Sequence, residues 1–146
     1  MQQAVSARTP AHLWIVGILS LLWNCFGCYD YLMTNTKNQA YLSQFPPDAL
    51  TYWESLPAWL TAFWAIGVWG GLAGSILLLV RSRYSVWAFG LSLVGAIVGI
   101  GYQLFMTAMP ASMKEGMMGI IPWLVILIAA FLAWYSWDAE KKGLLR

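Results

Sequence analysis

AHLWIVGILSLLWNCFGCYDYLM, Ala11–Met33, decides the fold. It carries no acidic or basic side chain except His12 until Asp30. At 1.5 Å per residue it is long enough to cross a hydrocarbon core of about 30 Å. Turning 100° per residue, a helix places Ser20, Trp23, Asn24, Gly27, Asp30, Tyr31 and Thr34 on one side. Ile18, Leu21, Leu22, Cys25, Phe26, Tyr29, Leu32 and Met33 fall on the other. An unpaired amide or carboxylate in hydrocarbon costs several kcal/mol. The polar stripe is therefore predicted to face protein, and the apolar side lipid.

The rest of the chain has the same character. Of 146 residues, 60% are hydrophobic and 10% charged, against roughly 25% charged in a soluble domain. This composition predicts an all-α integral membrane protein, residues 1–146 forming a single transmembrane domain. The net charge of +2, with no basic run, is too small to argue for nucleic acid as a partner. Arg8 precedes the first apolar run as in a signal peptide, but no small-x-small cleavage site follows. Neither Cys25 nor Cys28 sits in a lipobox, so the segment reads as a mature helix.

Three more spans follow the first (11–33), at about 58–80, 84–107 and 117–137, giving a four-helix bundle. Gly67, Gly70, Gly71, Gly74 and Ser75 flatten one face of the second. Ala88, Ser92, Gly95 and Gly99 do the same for the third. Small-xxx-small spacing lets helix backbones approach closely, so these two helices are predicted to pack as a hairpin through the Arg81-Ser82-Arg83 turn. The fourth span has Pro122 in its expected first turn and is apolar all round until Ser136. Such a helix faces lipid at the rim or meets a partner. The long connection 33–57 holds Tyr41, Phe45, Tyr52 and Trp53 among polar residues. Pro46-Pro47-Asp48 starts a short helix that ends before Pro57. Too apolar to extend into water, this connection is predicted to lie on the membrane surface as a partly helical lid.

Basic residues set the threading. Arg8, Arg81, Arg83, Lys141, Lys142 and Arg146 lie on the termini and the middle turn, and only Lys37 and Lys114 on the other two loops. Both termini are therefore predicted to be cytoplasmic, with the lid on the outer face. Trp14, Trp87, Trp134 and Trp137 then fall toward the inner interface, and Trp53, Trp59 and Trp123 toward the outer one.

Depth along the helices brings Asn24, Asp30, Tyr31, Trp64 and Gln103 to similar heights in the outer leaflet. They are candidates for one polar pocket, roofed by Trp53 and Glu54, that would take a small polar molecule or a lipid headgroup. The competing reading is interhelical glue, the common use of Asn and Gln between membrane helices. Cys25 and Cys28 form a CxxC, but no further cysteine pair is present to run thiol exchange with a quinone. Mid-helix geometry also resists a disulfide, so both read as packing residues. Met106, Met109, Met113, Met117 and Met118 surround the outer loop. Thioethers suit copper(I), yet that loop offers no His or Cys, and methionine also fills irregular apolar gaps. No metal, cofactor or catalytic residue is predicted, and His12 reads as a surface residue.

WNCFGCYDYLMT (Trp23–Thr34), Tyr41-Leu42, LPAW (Leu56–Trp59) and FWAIGVWGGLAGSILLL (Phe63–Leu79) resemble a family of small, poorly characterised four-helix inner-membrane proteins of Gram-negative bacteria. Some of these carry the automatic label "sugar transporter". The resemblance covers about the first two-thirds of the chain. It implies four spans and a bacterial inner membrane, and brings no substrate site with it.

Three functions are compatible with these residues. The first is a non-enzymatic accessory or scaffold subunit, bound to the bilayer and to another membrane protein or a second copy of itself. The alternative is a transporter of a small polar solute such as a sugar, which would need an oligomer to enclose a path. A membrane thiol redox enzyme is the third.

Overall fold

The computed structural model describes residues 9–146. Among them are six α-helices, one 3-10 turn and no strand: α1 Ala11–Asn35, α2 Gln39–Leu42, α3 Pro47–Ser55, α4 Ala58–Leu79, α5 Ser85–Met106 and α6 Gly116–Lys141, with the 3-10 turn at Ala111–Met113. Helices α1, α4, α5 and α6 are each long and apolar enough to cross a membrane. The chain is thus all-α with the makings of a multi-pass membrane protein. Arg8, part of the charge asymmetry, lies outside the described residues.

Helix ends follow local chemistry. Pro10 and Pro57 stand just before α1 and α4, and Pro46 and Pro47 open α3. Lys37, Arg81 and Gly143 each take positive φ (55°, 61° and 74°) just past α1, α4 and α6. Each closes its helix with a Schellman pair of backbone bonds, as in Ser82 N–H to Leu77 O (2.8 Å) with Arg81 N–H to Leu78 O (3.0 Å). One expectation is corrected here. Helix α6 begins at Gly116, so Pro122 lies inside the helix rather than in its first turn. Lacking an N–H, it leaves the Met118 carbonyl without its helical donor.

The long helices pack in chain order, α1 on α4, α4 on α5 and α5 on α6. The α4–α5 seam is the tightest, because small residues bring backbones together. A Cβ added to Gly95 would stand 2.7 Å from the Phe63 carbonyl oxygen and 2.8 Å from the Gly67 nitrogen. Across the same seam Ser92 Oγ donates to Gly67 O at 2.5 Å, and Gly70 lies against Ala88 and Ser92. The glycine face of α4 does not serve this seam alone. Gly74 seats the Phe89 ring of α5, while Gly71 meets the Asn24 amide of α1. Gly99 is looser, with Phe63 Cβ at 3.9 Å.

At the end where α1 begins and α6 stops, here the terminal end, Leu13, Leu78, Phe89, Leu132, Tyr135, Ala139 and Leu145 form one core. There His12 Nδ1 and the Tyr135 hydroxyl share a hydrogen bond of 2.5 Å, so His12 is exposed but engaged. At the opposite, lid end, Ala49, Tyr52 and Met113 pack together with Trp53, Leu56, Met109 and Met118. Tyr52 and Thr107 hydroxyls meet at 2.5 Å, and Ser112 Oγ donates to Asp48 Oδ2 at 2.7 Å. The segment α2–α3 is thereby fastened over the α5–α6 connection.

Candidate functional site

Asn24 sits in the middle of α1 and is buried. Its Nδ2 donates to Ser20 O in its own helix (2.9 Å) and to Ser75 Oγ of α4 (3.0 Å). Ser75 Oγ in turn donates to Gly71 O (3.0 Å). Only a glycine at 71 leaves room for the amide. One turn along, Cys28 Sγ lies 3.4 Å from Val68 O, again joining α1 to α4. Cys25 points away from this seam and is exposed.

Nearer the lid end, Tyr31 meets Trp64 edge-on at 5.1 Å between ring centres. Asp30 accepts the Tyr41 hydroxyl of α2 at 2.5 Å and faces Thr34 Oγ1 at 3.5 Å. Burial first, and then the Asp30 carboxylate, hold the Tyr41 phenol above the usual tyrosine range. Tyr41 continues an edge-to-face series from Tyr29 through Phe45 to Trp53. Gln103 Nε2 turns back to Gly99 O of its own helix, at 3.4 Å. Glu54 is exposed and joins no ion pair among the described residues.

Of the candidate pocket residues, the structure brings Tyr31 and Trp64 together and ties Asp30 to the lid through Tyr41. It does not bring Asn24, Asp30 and Gln103 into mutual hydrogen bonding, because α4 packs against α1 on one side and α5 on the other. Trp53 packs with Phe45 and the Met113 cluster over the α5–α6 connection, and roofs no Asn24–Gln103 space. Ser75, Tyr41 and Tyr135 are the partners that sequence reasoning missed. Only Ser75 carried a signal, lying one turn beyond Gly71 on the small face of α4.

Two hollows remain. The first, about 230 Å³, is a cleft between α1 and α6, lined by Val16, Leu19, Ser20 and Trp23 on one side and Ile128, Phe131 and Leu132 on the other. Ser20 Oγ is already bonded to Gly17 O, so the walls are apolar and suit chains rather than hydrated solutes. The second, about 240 Å³, lies at the lid end among Leu104, Met109, Met113, Lys114, Pro122 and Trp123. No group of three or more His, Cys, Asp and Glu side chains gathers in metal-binding range among the described residues. Comparison with protein-family models, curated proteins and solved structures finds no significant match to this chain.

Proposed function

We propose that the protein is a non-enzymatic accessory or scaffold subunit of a bacterial inner membrane, with both ends cytoplasmic, that joins another membrane protein along α6. The supporting observation is where the polar groups go. Among the described residues, Ser85 Oγ is the one buried side-chain polar atom without a partner, and the others are spent within the chain. The amides that a solute path would use, Asn24 and Gln103, are bonded to Ser75, Ser20 and Gly99. By contrast α6 lies against α5 and leaves Ile120, Leu127, Phe131 and Trp134 exposed. An apolar helix face beside an apolar cleft is a surface for assembly in lipid, where shape and van der Waals fit drive association.

A photo-crosslinking residue at Leu127 tests this, with one at Ile76 of α4 as the comparison. In native membranes Leu127 is expected to give a discrete protein adduct, and Ile76 to give lipid adducts. Lipid adducts alone at both positions would refute the assembly role.

A further inference from the structure

The fold sorts the methionines between Met106 and Met118 into two sets. Met106 and Met117 turn outward, 73% and 71% exposed. Met109, Met113 and Met118 turn inward at the lid end. Met113 is 6% exposed in a cluster with Ala49 and Tyr52, and Met109 and Met118 pack against that cluster beside Trp53 and Leu56. Met109 and Met113 also line one hollow of about 240 Å³, with Leu104, Pro122 and Trp123 around it.

Local structure holds the three in place. Pro110 opens the 3-10 turn that ends at Met113, whose N–H donates to Pro110 O at 3.0 Å. Met118 lies in the first turn of α6, and that turn is pressed against the connection: a Cβ at Gly119 would stand 2.5 Å from Lys114 O. The lid fixes the other side, through Ser112 to Asp48 and Tyr52 to Thr107.

Methionine is a common filler of irregular gaps. A filler closes its gap, whereas here two long flexible side chains border a hollow larger than a water molecule. No carboxylate, imidazole or thiol lines it. The soft donors at hand are thioether sulfurs, which select copper(I)-like ions over calcium, magnesium or manganese. Lys114 is exposed, and its four-carbon stem lets the ammonium extend into water. Trp53 and Trp123 stand beside the methionines, and indole is the ring most favourable to a cation. We propose that Met109, Met113 and Met118 form a thioether site for a soft monovalent metal ion of the copper(I) and silver(I) class. The missing His and Cys are no obstacle. Thioethers release no proton on binding, so such a site escapes the pH dependence of His and Cys sites. The site rests on packing at the lid end and is independent of any partner on α6.

Silver(I) is the probe, because it needs no reductant. Purified full-length protein carrying C25S/C28S, which removes both thiols, is titrated with silver nitrate and followed by native mass spectrometry. A single bound silver is expected. Its affinity should stay the same from about pH 5 to 8, the range in which a histidine ligand changes charge. In this background M113L and M109L/M118L should each weaken binding at least about tenfold. M106L/M117L, which alters the two outward methionines, should bind as the parent does. Leucine conserves the volume, so melting temperatures without silver should match; if M113L melts early, M109L/M118L decides the matter. Absence of a silver adduct, or equal weakening in the inward and outward variants, would overturn the site. So would an affinity that falls on acidification, which would place the metal on His12.

Discussion

Replacing Gly95 by alanine probes the contact on which the α4–α5 hairpin depends. The new methyl would meet the Phe63 carbonyl oxygen at 2.7 Å and the Gly67 nitrogen at 2.8 Å. Both are main-chain atoms of α4, so no side chain can turn aside. Restoring an ordinary contact of about 3.4 Å requires the helices to part by roughly 0.7 Å. The Ser92–Gly67 bond, now 2.5 Å, would lengthen to about 3.2 Å and weaken. Overpacking of this kind costs about 1–3 kcal/mol, and an interhelical bond in a membrane contributes about 0.6 kcal/mol. The better helix propensity of alanine returns up to about 1 kcal/mol. The expected net loss is about 1–2 kcal/mol. Gly90 and Gly101 supply the comparison, since a Cβ at either meets nothing within 4 Å; G90A and G101A should be neutral or stabilising. Denaturation in mixed micelles, followed by the fluorescence of the ten tryptophans, measures all three. If G95A unfolds at the same denaturant concentration as G90A, close backbone approach does not hold this hairpin.

A double-mutant cycle of N24A and S75A should give a coupling energy of about 0.6 kcal/mol, and no more than about 1.7 kcal/mol, by the same unfolding assay. K37G relieves a left-handed lysine at the end of α1 and should raise stability by about 1 kcal/mol in that assay. Maleimide reacts with a thiol that water can reach, so Cys25, on the lipid side of α1, and Cys28, in the α1–α4 seam, should both resist labelling in the bilayer and both react once the protein unfolds in denaturant, as mass mapping of the peptides would report. Because Tyr41 is raised in the folded state, its contribution is complete below the ordinary tyrosine value near 10 and is lost as pH rises through the folded value. The protection factor of residues 39–55 in hydrogen exchange, which removes the intrinsic base-catalysed rate, should therefore be constant across neutral pH and fall only in strong base. Y41F should lower it at neutral pH.

Much of this architecture is written in periodicity. On α1 a 100° step separates buried Ser20 and Asn24 from exposed Leu22, Cys25 and Phe26, because lipid and protein impose opposite demands on the two sides. The same rule marks the small faces of α4 and α5, yet not which neighbour each glycine serves. A helix between two others spends one stripe on both, so Gly67 meets α5 while Gly71, four residues on, meets α1. The pocket failed to assemble for a related reason. Rise per residue gives the height of Asn24 and Gln103, while the order of helices around the bundle gives their distance, and turn lengths alone do not state that order. Contacts between remote segments were the least legible. Nothing near His12 points to Tyr135, 123 residues away. The tail did carry a signal. Gly143 after Lys141-Lys142 is where a helix stops, and Leu144-Leu145 are too apolar for a segment left in water. Neither leucine names the surface on which the tail docks, because the Arg81 turn that receives Leu144 lies 63 residues back in the chain.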